Sequence, residues 1–175
     1  MIFTDIRPVY FTESVQLYTE AFPENERRDI AEWEEFMIRR KEFHAQAIIE
    51  DDAFTGFITW WDFDDFVYGE HFAICAEKRS GGLGGRAFDL FLTQHNNRDV
   101  VIEVEMPSDE MARRRIGFYE RHGMSVVEKD YLQPPYRPGE EYFPLLLMST
   151  DATRTLRNFE HIKNTIHREV YGVKE

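Results

Sequence analysis

Lys78–Phe88, KRSGGLGGRAF, packs four of the chain's ten glycines into positions 81–85, between two arginines. Glycine loses more conformational freedom on ordering than any other residue. Such a cluster marks either a loose surface turn or a place where the main chain must come close to something. The flanking segments give the turn its setting. Upstream, "DFVYGEHFAIC" reads as a strand; downstream, Leu83, Ala87, Leu90 and Phe91 recur at helical spacing and predict a helix to about His95. A helix start leaves backbone N–H groups unpaired and carries about half a positive charge. Residues without a Cβ let an anion reach those donors directly, so the turn reads either as a phosphate cradle or as a loose surface turn, and a single glycine-rich turn does not choose between them.

Working outward, Met1–Val9 reads as a strand, and Thr12 caps a helix to Phe22 with Val15, Tyr18 and Phe22 on one face. Pro23 ends it, and "FPENERRD" is a polar loop. Asp29 and Glu32 form a capping box for a helix to about Arg40 that turns Ile30, Trp33 and Phe36 or Met37 inward. "FHAQAIIEDDAFTGFITWWDF" is a hairpin around Asp51–Asp52. Trp60 and Trp61 point to opposite faces of its second strand, so only one is expected in the core. "VVIEVE" is a buried strand, and Glu110–His122 a helix that Gly123 terminates. "MSVVEKDY" and "YFPLLLMS" are strands joined by the loop "LQPPYRPGEE". Leu156, Phe159, Ile162, Ile166 and Val170 line one face of a helix over about residues 153–172. The order β-α-α-β-β-β-α-β-α-β-β-α describes a mixed α/β fold with helices on both sides of the sheet. No repeat or linker interrupts it. Residues 1–150 are expected as a single domain, with 151–175 a helical extension packed on that domain or at an interface.

Composition narrows the function classes. With 42% apolar and 15% aromatic residues over 175 positions, the chain has enough for one real core and is not disordered. A net charge of −12 argues against nucleic acid as a partner. No apolar run approaches the length of about 18 residues that spans a bilayer, and the N-terminus lacks a basic-then-apolar leader. Neither membrane insertion nor secretion is expected. Cys75, the single cysteine, excludes an internal disulfide and suits a reducing cytoplasm. The six histidines are scattered, so no metal site is expected. Cys75 itself reads as a small buried residue rather than a nucleophile.

Two familiar phosphate motifs fail on context. Gly82–Ala87 fits G-x-G-x-x-A, with Glu103 about twenty residues on, but a dinucleotide fold opens on a parallel βαβ unit, and three hairpin-like strands precede this turn. The phosphate loop G-x-x-x-x-G-K-[ST] lacks its lysine. A third pattern fits: Arg79-Ser80-Gly81-Gly82-Leu83-Gly84 between strand and helix matches [RQ]-x-x-G-x-[GA]. Here the sequence resembles the GNAT superfamily of acyl-CoA-dependent N-acetyltransferases. The resemblance runs from the first strand to "LLLMS". "EHFAICAEKRSGGLG" is similar to the family's fourth strand and pyrophosphate loop. "VIEVEMPSDEMARRRIGFYERHGM" is similar to its fifth strand and following helix, with "FYERHGM" close to F-Y-E-[KR]-x-G-F. Two departures stand out. Ala112 occupies the position of an asparagine frequent in the family, and Ser80 displaces the usual glycine to Gly81.

The resemblance implies a mostly antiparallel twisted sheet whose central parallel strands splay, with acetyl-CoA as co-substrate lying in the gap. Its diphosphate would rest on Arg79, Ser80, Gly81, Gly82, Leu83, Gly84 and Gly85, and its pantetheine arm along main-chain groups at Phe72, Ile74 and Ala76. An N–H near Ile74 would polarise the thioester oxygen, a task suited to prepositioned donors. Tyr119 matches the tyrosine that protonates the departing thiolate. Glu70, lying between Tyr68 and Phe72, is one candidate base, on the expectation that apolar neighbours raise its pKa; Glu103 is another, and a water relay a third. Glu24, Glu26, Arg27 and Arg28 are candidates for reading the acceptor, with Gln133, Tyr136 and Arg137 as a lid over it. The activity implied is direct acetyl transfer to a primary amine of a small molecule, or of a peptide or protein. Two other classes stay open: an inactive acyl-CoA-binding module and, further off, an NAD(P)-dependent oxidoreductase. The amphipathic tail and a spare tryptophan leave a homodimer open.

Overall fold

The computed structural model describes residues 1–79 and 81–174. In chain order it contains β1 (Ile2–Asp5), α1 (Phe11–Ala21), α2 (Ile30–Arg39), β2 (Phe43–Glu50), β3 (Ala53–Asp62), β4 (Phe66–Ile74) and α3 (Leu83–Gln94). There follow β5 (Asp99–Glu105), α4 (Glu110–Arg121), β6 (Ser125–Val126), β7 (Tyr131–Gln133), β8 (Phe143–Ser149), α5 (Ala152–Arg157) and α6 (Phe159–Glu169). The eight strands form a mixed, mostly antiparallel sheet in the order β1-β2-β3-β4-β5-β8-β6, with β7 paired to β8. Two compact units divide the chain: Met1–Phe63 with Gly69–Gln94, and Asp64–Tyr68 with His95–Glu175.

In the first unit, β1, β2 and β3 pair antiparallel, and the hairpin turns at Asp51 and Asp52, whose φ angles of 51° and 59° are those of a tight two-residue turn. Thr55 bulges out of the ladder and donates its hydroxyl to the carbonyl of Ile48 at 2.9 Å. Next to it, a Cβ on Gly56 would lie 2.3 Å from the carbonyl oxygen of Ala73, so only glycine lets β3 and β4 approach there. Both tryptophans of β3 are buried, against expectation. Trp61 packs edge-on to Phe36 of α2 at 5.6 Å, and Trp60 packs against Phe91 of α3 at 5.5 Å. Neighbouring strand residues face opposite ways, so α2 and α3 cover opposite faces and each tryptophan finds a core. Tyr18 of α1 stacks on Trp33 of α2 at 4.3 Å and completes the first face.

In the second unit, β8 pairs antiparallel with β5 on one side and with β6 and β7 on the other. Val101, Leu147, Met148 and Ile166 fill its core. Asp109 caps α4, accepting the N–H of Ala112 at 2.8 Å, and Gly123 ends the helix with φ 85°.

Several expected boundaries change. Asp29 is the N-cap of α2, but its side chain makes no capping bond, and α1 begins after Tyr10 without a Thr12 cap. Part of the expected loop 132–141 is strand β7. The tail is two helices, because Asn158 leaves helical geometry (φ −105°, ψ 16°); Leu156 is consequently 41% exposed. Asp151 caps α5, and Arg154 forks onto Asp99 of β5, Nε to Oδ2 at 2.6 Å. Among the described residues no helix is long and apolar enough to cross a membrane, and no group of three or more His, Cys, Asp or Glu could hold a metal ion.

Candidate active site

Three constellations hold the expected site residues. The first is the glycine turn. After β4 a single 3-10 turn, Ala76–Lys78, leads to Arg79, and α3 starts at Leu83. Gly82 has φ 70°, the left-handed backbone that glycine adopts without a Cβ penalty. A Cβ on Gly81 would meet nothing within 4 Å, so the space before it is open. Ser80 lies outside the described residues. Leu83 and Ala87 anchor the start of α3 in a cluster with Ile48 and Ile74. The Arg79 Nε donates to the Ile74 carbonyl at 2.9 Å, which folds its guanidinium over the end of β4. Arg86, which motif reading overlooked, donates from Nη1 to the carbonyl of Gly81 at 3.1 Å and from Nη2 to Glu50 at 2.7 Å. It ties the turn to the β2–β3 hairpin. The hydrogen bond from Arg86 holds the Glu50 carboxyl below its ordinary pKa.

On β4 the N–H of His71 bonds the hydroxyl of Thr59 and that of Cys75 the carbonyl of Thr55. Strand alternation therefore aims the backbone of Phe72 and Ile74 away from β3. Ala76 is off the strand, its carbonyl accepting the N–H of Arg79 at 3.3 Å. Burial pushes the Cys75 thiol pKa up, which disfavours a thiolate.

The second constellation is Glu70, and here the expectation of apolar neighbours fails. Its side chain is fully buried, with Oε1 2.7 Å from Nη2 of Arg28 and Oε2 accepting the indole N–H of Trp61 at 2.8 Å. The Arg28 guanidinium lies over the Phe36 ring at 4.6 Å. Arg28 is 3% exposed, so it faces the protein and not an acceptor. Backbone anchors fix the same loop. Arg28 donates its N–H to the Tyr18 hydroxyl, Arg27 Nε donates to the Phe22 carbonyl, and His71 Nε2 lies 3.0 Å from the carbonyl of Glu26. Burial lowers the His71 pKa, so the ring is neutral, and its Nε2–H donates to that carbonyl. Glu24 sits on the 3-10 turn at the start of the loop.

The third is Glu103 on β5. Its Oε1 accepts the hydroxyl of Tyr131, and its Oε2 accepts Gln133 Nε2 and the Tyr171 hydroxyl, both at 2.6 Å. Tyr171 also receives Gln133 Nε2 at 2.7 Å, meets the Tyr68 hydroxyl at 3.2 Å and packs its ring against Tyr136 at 5.0 Å. Burial drives the Glu103 pKa up, against the hydrogen bonds from Tyr131, Tyr171, Gln133 and Tyr68. Burial also raises the Tyr131 and Tyr171 pKa values, so both hydroxyls stay protonated. Gln133 is thus a partner of the acid rather than a free lid residue. Tyr131 and Gln133 share a strand face at the spacing of two that alternation predicts, a signal present in the sequence; Tyr171 lies past the end of α6 and carried none. On α4, burial pushes the pKa of Tyr119 up to about 12, with Arg115 opposing and Glu105 adding. It holds its proton at neutral pH.

No family model matches the sequence, and no curated protein does. Among solved structures, a protein assigned to the GNAT family of acetyltransferases from Bacteroides thetaiotaomicron is 40% identical over 99% of this chain and 100% of its own, with a TM-score of 0.94. An aminoglycoside 6'-N-acetyltransferase complexed with coenzyme A is 19% identical over 85% of this chain and 96% of its own, with a TM-score of 0.60. A ribosomal-protein-S18-alanine N-acetyltransferase from Escherichia coli is 14% identical over 85% and 91%, with a TM-score of 0.61. The last two share the fold; the first carries sequence likeness along the whole chain.

Proposed function

The chain belongs to the GNAT family of acetyltransferases, and we propose on that footing that it transfers an acetyl group from acetyl-CoA to a primary amine of a small molecule by direct attack. The observation that carries this is the turn opening α3, where left-handed Gly82 and open Gly81 stand at the N-terminus of a twelve-residue helix. Those features suit an anionic diphosphate. Arg79, Ser80 and Gly81–Gly85 would hold it, and the main chain at Phe72 and Ile74 would carry the pantetheine arm. Bound acetyl-CoA supplies an activated thioester carbonyl. The chain's own residues do the rest. An N–H of β4 orients that carbonyl, Tyr119 holds a proton at its hydroxyl for the leaving sulfur, and Glu103 takes the proton of the acceptor ammonium. Glu103 is preferred to Glu70 because its donors are neutral and its pKa is raised, as a base working near neutral pH requires. Glu70 instead holds the Arg28 loop in place.

The test is thiol release from acetyl-CoA across an amine panel, alongside calorimetry with coenzyme A. Release with one class of small amine supports the reading. Heat without release on any amine leaves a binding module, and no heat at all sinks the cofactor assignment.

A further inference from the structure

Resting on that reading, we propose that Arg86, anchored on Glu50, is a positioning residue for the cofactor: it holds the carbonyls of Gly81 and Gly82 away from the diphosphate, which leaves the N–H groups of Gly82 and Leu83 to meet it.

A trans peptide is planar, with its C=O and N–H pointing in opposite directions. Whatever holds a carbonyl therefore also sets the direction of the next residue's N–H. Arg86 holds two carbonyls in succession. Its Nη1 donates to that of Gly81 at 3.1 Å, and its backbone N–H donates to that of Gly82 at 3.1 Å, the bond that opens α3. The N–H of Gly82 consequently points away from the guanidinium. That of Leu83 points back out of the helix start, where no intrahelical carbonyl exists to take it. Two adjacent outward donors make a concave seat for an anion. The seat needs an outside hold, because glycine stands on both sides of the Gly81–Gly82 peptide and Gly82 has φ 70°. Without a Cβ at either residue, that peptide turns over with little steric resistance. Turned over, it would present a carbonyl oxygen to the phosphates instead of an N–H.

Glu50 makes the hold firm. The Arg86 side chain is 54% exposed, so a single bond to a carbonyl would have to outweigh its rotamer freedom in water. Its Nη2 also meets Oε1 of Glu50 at 2.7 Å, which fixes the guanidinium at both ends. Glu50 is the last residue of β2, beside the hairpin turn at Asp51 and Asp52, so the anchor stands on a paired strand. The guanidinium is thus directed at acceptors within the protein, and a carboxylate offsets its charge.

Calorimetry with coenzyme A on the full chain tests the proposal without an identified acceptor. Arg86→Met should weaken binding about tenfold, the loss of about one charge-assisted hydrogen bond. A guanidinium that gripped a phosphate itself would give the same result, and Glu50 separates the two roles. Glu50→Ala frees Arg86 and removes a negative charge. A direct grip would then bind coenzyme A as tightly as wild type or more tightly, whereas a positioning role predicts binding weaker by about threefold or more. Glu50→Gln removes the same charge but keeps an oxygen for Arg86, so it should recover most of the loss seen with alanine. Amide NMR reads the positioning itself and reports the fold in the same spectra. Coenzyme A should move the Gly82 and Leu83 N–H signals of the wild type downfield. In Arg86→Met the Gly82 response should shrink, while Leu83, still set by the backbone bond, keeps its own. Wild-type affinity in Arg86→Met, or equal or tighter binding in Glu50→Ala, overturns the proposal. Failure of the underlying reading looks different: the wild type would then give no heat with coenzyme A.

Discussion

Glu70 and Glu103 are both glutamates withdrawn from water on strands of one sheet, and their surroundings give them opposite work. Glu70 meets a guanidinium and an indole N–H, in a pocket walled by Phe36 and Trp61. Glu103 meets three hydroxyls and an amide, and among the described residues every group bonded to it is neutral. A buried carboxylate facing a cation is locked into its charge, and removing either partner strands the other. A carboxyl facing neutral donors keeps access to both protonation states, which a proton acceptor must have. Burial alone therefore does not mark the base; the partner's charge does.

The largest effect expected falls on the locked acid. Glu70→Gln leaves Arg28 charged and buried, and should cost about 3–5 kcal/mol in urea unfolding. The double variant Arg28→Met, Glu70→Gln should recover most of that loss. A single variant within experimental error of wild type would erase the distinction between the two acids. Next comes Glu103→Gln. Its stability should stay within about 1–2 kcal/mol of wild type, since an amide still accepts one of the bonds. Its kcat should fall at least about a hundredfold with CoA affinity held. Smaller again is Tyr119→Phe, which removes the acid and not the base. A loss of about tenfold in kcat, with the acid limb of the pH profile unmoved, would separate the two ends of the reaction; a moved limb would tie Tyr119 to Glu103.

Local features are legible in the sequence itself. The hairpin at Asp51–Asp52, the strand–glycine–helix junction and the Gly123 stop are all written in spacings of a few residues. The partners that decide what each acid does lie far off in the chain, Arg28 42 residues from Glu70 and Tyr171 68 residues from Glu103. No periodicity encodes such pairs. Glu70 read as an acid among apolar neighbours because alternation reports which face a residue occupies, not what reaches that face from another element. Trp60 and Trp61 misled for a related reason, since one strand cannot reveal that α2 and α3 cover both sides.

The smallest effect is the pH dependence of stability, and it probes Glu103 directly. Its folded pKa is raised, with burial the leading cause, so the folded state holds this proton more tightly than the unfolded chain. The resulting stabilisation is full below the ordinary carboxyl value of about 4.3 and is lost as pH rises through the higher folded value. Glutamine at 103 cannot titrate. Relative to wild type, Glu103→Gln should therefore gain stability as pH climbs from about 4 towards 8, by about 1.4 kcal/mol for each unit of the shift. Unfolding curves at several pH values would reveal the slope. A difference that stays flat, or runs the other way, would mean that hydrogen bonds outweigh burial at Glu103. The acid would then sit locked in its charged form, as its counterpart on β4 is by Arg28, and the base would have to be sought elsewhere.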